Sequence, residues 1–416
     1  MATLVPASQV PWAMRLVTDR LPVGPPSYAA VTLDASTQTA RYTDAVGRVV
    51  EMGKHGTSKT TGTASMSGGG DGQNPQPQTQ DDNTTDYESD RPMASTVLVV
   101  TALEDVTADR VIAALNEREV PVVRVDPADI GPDLAFGARI GAGTAAWGGR
   151  LRTASREVEL GEVAAVYYRR PTPFAARYEH LPAQQRDFAT AEARHGLSGV
   201  LNQLHGAAYV NHPGAVTAAD FKPAQLQLAA QLGLVIPATL VTNDAEQAAK
   251  FAAEYGPVIY KTFRGLPRDA DGHTGAIWAQ RVDPETFDDP LTTTAHLFQA
   301  EIPKTGDVRV TVVGRRVFAQ QIAAPDGALD WRRGDWDELL HAPISVPAPV
   351  EAALHSYLAA FHLAFGCFDF ALTGDGQAAG DWTFIECNPN GQWGWLPDAA
   401  DITEAFADLL TERSTP

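Results

Sequence analysis

The chain has 416 residues, 44% of them apolar, and sets 32 Lys and Arg against 51 Asp and Glu for a formal charge of −19. No apolar run approaches the ~20 residues of a membrane-spanning helix, which excludes a helical membrane protein, and so acidic a chain repels a phosphate backbone, so nucleic acid is not an expected partner. The two cysteines, Cys367 and Cys387, are too few for a disulfide scaffold and lack metal-ligand spacing; with no secretory signal at the N-terminus, the cytoplasm is the expected compartment.

In chain order, residues 1–52 carry scattered apolar residues, notably Pro11-Trp12-Ala13-Met14-Arg15-Leu16-Val17, too few for a core of their own. Residues 53–92 are almost devoid of large apolar side chains and dense in Gly, Ser, Thr, Gln and Asp. Such a stretch cannot bury enough surface to offset chain entropy, so a largely disordered peptide is expected. Composition changes at Met93, which would serve as the start of a free-standing enzyme, so residues 1–92 read as a second polypeptide joined in front.

From there the pattern is α/β. A buried strand (96–101), an amphipathic helix (109–118) and a second strand (120–125) open the domain, followed by a strand at 163–168 and helix at 186–204. A helix holding Lys222, strands at 238–242 and 258–262 with a helix between, and strands at 307–313 and 316–323 come next. A helix at 350–365 and strands at 367–372 and 382–387 complete the pattern. Gly141-Ala142-Gly143-Thr144 imitates a dinucleotide fingerprint but follows no clear strand and opens no helix, and a Walker A signature is missing.

The strongest constellation is C-terminal. Glu386 and Asn388, two apart on a strand, aim to one face, and a neighbouring strand can bring Asp369 beside them. Three hard oxygen donors suit Mg²⁺, which completes its octahedron with water and phosphates. Upstream stand Lys222, Lys261 at a strand end, Gln299-Ala300-Glu301-Ile302 and Asp307-Val308-Arg309.

In this order the residues from 93 to 416 resemble the ATP-grasp superfamily of carboxylate ligases. The resemblance implies an ATP-grasp fold, α/β (α+β) with three subdomains, and ATP with two Mg²⁺ ions as cofactors. Lys222 and Lys261 would contact ATP, Gln299 and the Glu301-Ile302 backbone its adenine side, and Asp307 would lie in the same site. Arg309 would steady the transferring phosphoryl group, and Asp369, Glu386 and Asn388 would hold the metal. The segment Pro11-Trp12-Ala13-Met14-Arg15-Leu16 is similar to the leader motif of microviridin-type precursors, and the text through Thr57-Ser58 to actinobacterial precursors modified by ATP-grasp ligases. Their products, graspetides, carry side-chain esters or amides. Arg169-Arg170-Pro171 and Asn390-Gly391-Gln392-Trp393 are also similar to such maturases. Arg169 and Arg170 therefore join Arg309 and Lys261 as candidate catalytic residues, steering an acidic arm or closing a strand.

The expected organisation is a leader (1–52), a core peptide (53–92), an N-terminal α/β domain (93–205), a central lid (206–298) and a metal-bearing domain (299–416). The core sets hydroxyls at Thr57, Ser58, Thr60, Thr61 and Thr63 against acids at Asp81, Asp82, Asp86 and Glu88, with a glycine hinge between. A carboxylate is a poor electrophile; phosphorylation gives it a leaving group, and an ester follows, or an amide at Lys54 or Lys59. Trp12 and Leu16, spaced i, i+4, could enter an apolar groove together, with Arg15 on a rim carboxylate, so Arg15→Ala is expected to cut processing sharply. Asp82 is eleven residues from Met93, about 37 Å of chain at most, so the core is served in cis within that reach or in trans by a twin in a homodimer. Two rivals stand beside this: a ligase acting on a separate carboxylate and amine, with 1–92 dispensable, and a non-catalytic peptide-binding module.

Overall fold

The computed structural model describes residues 10–17, 19–20, 28–52, 95–264, 275–324, 327–333 and 338–412. The core residues Thr57, Ser58, Thr60, Thr61, Thr63, Asp81, Asp82, Asp86 and Glu88 lie outside these, as do Lys54 and Lys59. Contacts divide the chain into two compact units, one of residues 33–39, 66–210 and 407–416, the other of the remainder. Of the N-terminal segment, residues 12–16 form a 3₁₀ turn, and Ala30–Leu33 pairs with Ala40–Thr43.

The first unit is built on a parallel sheet of β1 (Thr96–Val100), β2 (Val122–Val125), β3 (Val163–Tyr168) and β4 (Ala208–Val210), in the order β4-β3-β1-β2. Every residue of β1 and β2 is buried, as uninterrupted β-branched runs require when both faces are covered. Helix α1 (Val106–Glu117) makes the crossover between them. Its N-cap Asp105 accepts from the amide of Ala108, from Thr101 Oγ1 and from Arg169 Nε. Beside the sheet lies an antiparallel meander of Leu134–Gly141, Thr144–Thr153 and Glu157–Glu159. The glycine-rich Gly141–Thr144 is its hairpin turn, with Gly141, Ala142 and Gly143 all at positive φ.

The second unit holds two antiparallel sheets. One orders β5 (Thr239–Thr242), β6 (Val258–Lys261), β7 (Gln280–Arg281) and β8 (His296–Ala300) as β5-β8-β6-β7. The other orders β9 (Gly306–Val313), β10 (Arg316–Ala323), β11 (Leu340–Pro343), β12 (Phe365–Leu372) and β13 (Trp382–Asn388) as β11-β10-β9-β12-β13. Alternation sends Val308, Val310, Phe368, Phe370 and Phe384 to a core with Leu354 and Tyr357 of helix α3 (Ala348–Ala360), and the polar residues between them to the other face. Helix α2 (Lys222–Gln231), opened by Pro223, is tied to β13 through Gln225. The Gln225 side chain donates to the carbonyls of Ala219 and Cys387 and accepts from the Cys387 amide. That clamp on β13 sets where Lys222, one turn earlier, meets Glu386. Among the described residues no helix is long and apolar enough to cross a membrane.

Candidate functional site

Strand register builds the centre of the site. Arg309 on β9 lies opposite Asp369 on β12, which lies opposite Glu386 on β13, so three charged residues stand abreast on one face. The register slips just after Asp369, a local irregularity of the kind that re-aims side chains beside functional sites. Asn388 Nδ2 is 3.2 Å from Asp369 Oδ2 and 3.5 Å from Glu386 Oε1, so the convergence expected from strand periodicity is present.

Cations crowd onto Glu386. Lys222 Nζ lies 3.0 Å from its Oε2 while donating to the carbonyl of Thr262, and Arg332 Nη1 lies 3.4 Å from its Oε1. Burial alone would raise the Glu386 carboxyl, but Lys222, Lys261 and Arg332 outweigh it and hold it well below the usual range. Asp369 goes the other way: burial raises it, Glu386 adds to the rise, and the Arg309 guanidinium offsets only part. Burial also lowers Lys261 to about 8, with Lys222 and Arg332 repelling its charge and Glu386 attracting it.

Lys261, Arg332, Asp369 and Glu386 border a cleft of roughly 680 Å³, counting its open mouth. Its lining combines apolar side chains, among them Pro237, Ile259, Ile302 and Trp331, with the charged groups of Lys261, Lys304, Asp307, Asp330, Arg332, Asp369 and Glu386. Gln299 lines it too, its amide donating to Thr239 Oγ1, while the Glu301 carboxylate is turned onto Arg281. Apolar and charged side chains lining one cleft suit a ligand with an apolar base and a charged polyphosphate.

Two expectations from resemblance meet a different geometry. Arg309 is not among the residues lining the cleft: its guanidinium is buried, 2.7 and 2.9 Å from the two oxygens of Asp369, and donates to the carbonyl of Gln392. Directly opposite positions on paired strands bring such side chains together before either can reach outward. Arg169 is also buried, 2.5 Å from Asp105, and closes the end of β3 over the cap of α1. Arg170 follows it in the same unit, its carbonyl accepting from Ala102. Both arginines belong to the other unit from the Glu386 cluster.

Sequence reasoning missed Asp330, Arg332, Lys304 and Asn211. Asp330 is buried and paired with Arg332 at 2.7 Å, and Lys304 is 2.6 Å from Asp307. The available signal was the repeat of the Asp-x-Arg spacing at 330–332. Asn211 is fully used inside the fold: it donates to the carbonyls of Phe365 and Pro389 and accepts from the amides of Ala364 and Phe365. It thereby fixes the turn after β13, where a Cβ on Gly391 would sit 2.4 Å from that of Cys367.

No group of three His, Cys, Asp or Glu stands at ligating distance among the described residues. The donor set still fits Mg²⁺. Two carboxylates meet at the Asn388 amide, and a half-turn of that amide puts its oxygen where its nitrogen now points, giving three hard donors and leaving positions for phosphate.

A second feature of this unit is occupied by the chain's own N-terminus. Trp12 is 1% exposed, ringed by Tyr260, Phe287, His296 and Phe298 at 5.5–5.8 Å, with its indole N–H donating to the carbonyl of Thr286. Pro11 opens the turn, Leu16 packs on the same cluster, and its carbonyl accepts from Gln280. Residues 19–20 then pair antiparallel with 275–276. Arg15 reaches Asp288 at 2.7 Å, but both side chains are nearly half exposed. An exposed pair contributes about 0–1 kcal/mol, whereas a buried Trp contributes several, so the geometry moves the weight of docking from Arg15 to Trp12.

Comparison with known proteins agrees with both features. Residues 23–81 match a family described as a ribosomally synthesised peptide in actinomycetes, and residues 96–217 match the MvdD pre-ATP grasp domain. A Chryseobacterium gregarium RiPP-associated ATP-grasp ligase, solved with ADP and a leader and core peptide, is 26% identical with a TM-score of 0.69, covering 76% of this chain and 97% of its own. The macrocyclase MdnC from Microcystis aeruginosa MRC, bound with precursor peptide MdnA, is 27% identical with a TM-score of 0.67, covering 76% and 99%. The ATP-grasp ligase PsnB, solved with a precursor variant, Mg and ADP, is 22% identical with a TM-score of 0.60, covering 78% and 100%, and shares the fold. No curated protein matches.

Proposed function

Since this chain is an ATP-grasp ligase homologous to the graspetide macrocyclases, with an actinomycete-type precursor peptide fused in front, we propose that it cyclises its own residues 53–92 by ATP-dependent ester formation. The observation that carries this reading is that Trp12 of the precursor is seated in the same unit whose cleft gathers Lys261, Asp369 and Glu386, with Lys222 paired to Glu386. The apolar side chains of the cleft take the adenine, and Lys222 and Lys261 hold the phosphates. A core carboxylate oxygen attacks the γ-phosphorus, ADP leaves, and a Thr or Ser hydroxyl displaces phosphate from the acyl carbon. The hydroxyl proton leaves on the phosphate, and the peptide loses one water per bond; Lys54 or Lys59 as nucleophile would give an amide and release one proton from its ammonium.

Charge balance supports a metal partner. Lys222, Lys261, Lys304, Arg309 and Arg332 face Asp307, Asp330, Asp369 and Glu386, so about four further negative charges from ATP leave the site anionic. Asp369, Glu386 and Asn388 would hold Mg²⁺, which neutralises the phosphate oxygens during transfer. Arg309 acts by fixing the Asp369 carboxylate.

The test is direct. ATP and Mg²⁺ added to the purified chain should lower its mass in steps of about 18 Da, located to residues 53–92, and methanolysis should open each ester with a gain of about 32 Da, as a methyl ester. ATP hydrolysis without mass loss, and mass gain on an added amine, would replace this reading with a ligase for separate substrates. A rate independent of protein concentration identifies delivery in cis; a rate that rises with it identifies a second copy.

Lys261 adds a pH signature. With a value near 8, it is cationic at pH 7 and mostly neutral at pH 9; bound phosphate favours the cation. ADP binding without divalent metal should therefore take up a proton above pH 8 and weaken about tenfold from pH 7 to 9. Titration calorimetry in two buffers of different ionisation enthalpy reads both, and Lys261→Met should flatten the profile. A flat profile in the unaltered chain would remove Lys261 from the phosphates.

A further inference from the structure

Between Trp12 and the core, the turn Asp34–Thr39 makes its own contacts with the unit that contains the parallel sheet. The turn is internally locked. Asp34 Oδ1 accepts from the amides of Ser36 and Thr37 and from Ser36 Oγ, bonds that pull its carboxyl down to about 2, and its backbone pairs with Thr39 and Gln38. This places Gln38 at φ 60, a left-handed position that a non-glycine residue holds only when its surroundings compensate.

The compensation is the seat of its side chain. Gln38 is 1% exposed; its Nε2 donates to Ser155 Oγ and to the carbonyl of Ala35, and its Oε1 accepts from the amide of Arg124. Arg124 lies on β2, the edge strand of the sheet, so the Gln38 amide takes the place a neighbouring strand's carbonyl would occupy. Two further contacts recognise backbone alone: Asn116 Nδ2 donates to the carbonyl of Thr37 at 2.7 Å, and Arg156 Nη2 to that of Ser36 at 2.8 Å. Four residues from three separate parts of the ligase thus converge on one tight turn.

We propose that this turn is a second docking element of the precursor, read by Asn116, the Arg124 amide, Ser155 and Arg156, independent of the Trp12 anchor. It rests on the reading above for what is docked. Its consequence concerns the product. Residues 40–43 continue from the turn, and Thr57, the first core hydroxyl, lies five residues beyond Met52, about 17 Å of chain at full extension. Holding the turn fixes where the chain leading to the core sets out, and on that ground the turn is assigned as a positioning element for crosslink choice.

Hydrogen exchange and product mass on the full chain test it together. In the unaltered chain the amides of residues 38–43 and of Arg124 should be protected. Gln38→Ala should speed their exchange at least tenfold while protection around Trp12 persists, and should lower the fully dehydrated product several-fold with a wider set of partially crosslinked species. Asn116→Ala with Arg156→Ala, which leaves the precursor untouched, should do the same. Unprotected amides in the unaltered chain would overturn the docking. Loss of protection with an unchanged product pattern would overturn its role in crosslink choice. Exchange is read without turnover, so a chain that docks the turn but never loses water refutes the proposed activity and not this contact.

Discussion

Glu386→Gln should slow loss of water from the core by about a thousandfold while leaving the leader docked. The carboxylate is buried, and the charges of Lys222, Lys261 and Arg332 keep it ionised against the cost of burial. Gln retains the shape but removes the charge, so the three cations lose their shared anion and the proposed metal would lose one of its two anionic donors. Losing metal charge at a transferring phosphoryl group costs several kcal/mol of barrier, which is two to four powers of ten in rate. Mass spectrometry of timed samples gives the rate, and exchange protection at residues 10–17 reports the docking separately. Processing within tenfold of the unaltered chain would leave the acids of this cluster without a catalytic part and return the non-catalytic binding module to consideration.

Trp12→Ala should be the most damaging change in the leader, reducing processing about a hundredfold, while Arg15→Ala should cost less than about fivefold. The indole fills a pocket of four rings, and its removal leaves a cavity and an unsatisfied Thr286 carbonyl, a loss of about 3–5 kcal/mol. Because the leader is tethered, part of that loss is absorbed before the docked population collapses. Arg15 and Asp288 remain largely in water on either side of their bridge. Equal damage from both substitutions would mean that the Arg15 charge carries as much of the docking as the apolar seat of Trp12.

The candidate site was partly open to inspection in the sequence, for definite reasons. Glu386 and Asn388 share a face because strand side chains alternate, and that holds wherever the strand lies. The i, i+4 reading of Trp12 and Leu16 assumes an α-helix; the segment is a 3₁₀ turn, and the two meet one cluster through tertiary packing instead. Arg309 resisted, because only the register of β9 against β12 puts it opposite Asp369 and turns it inward, away from the cleft. Asp330 and Arg332 resisted because their short turn has no periodicity to read, and their meaning comes from the strands they face.

What the sequence by itself determined is local and periodic: buried β-branched strands, a polar peptide in front of an α/β body, and the residue types from which a phosphate and metal site can be assembled. Only the tertiary structure decided which charges neutralise one another, that Trp12 outweighs Arg15, and that Gln38 completes a sheet edge far from it in sequence. The physical reason is that pattern follows from backbone geometry within a few residues, whereas burial and charge pairing depend on partners brought from distant positions, and these set the energies.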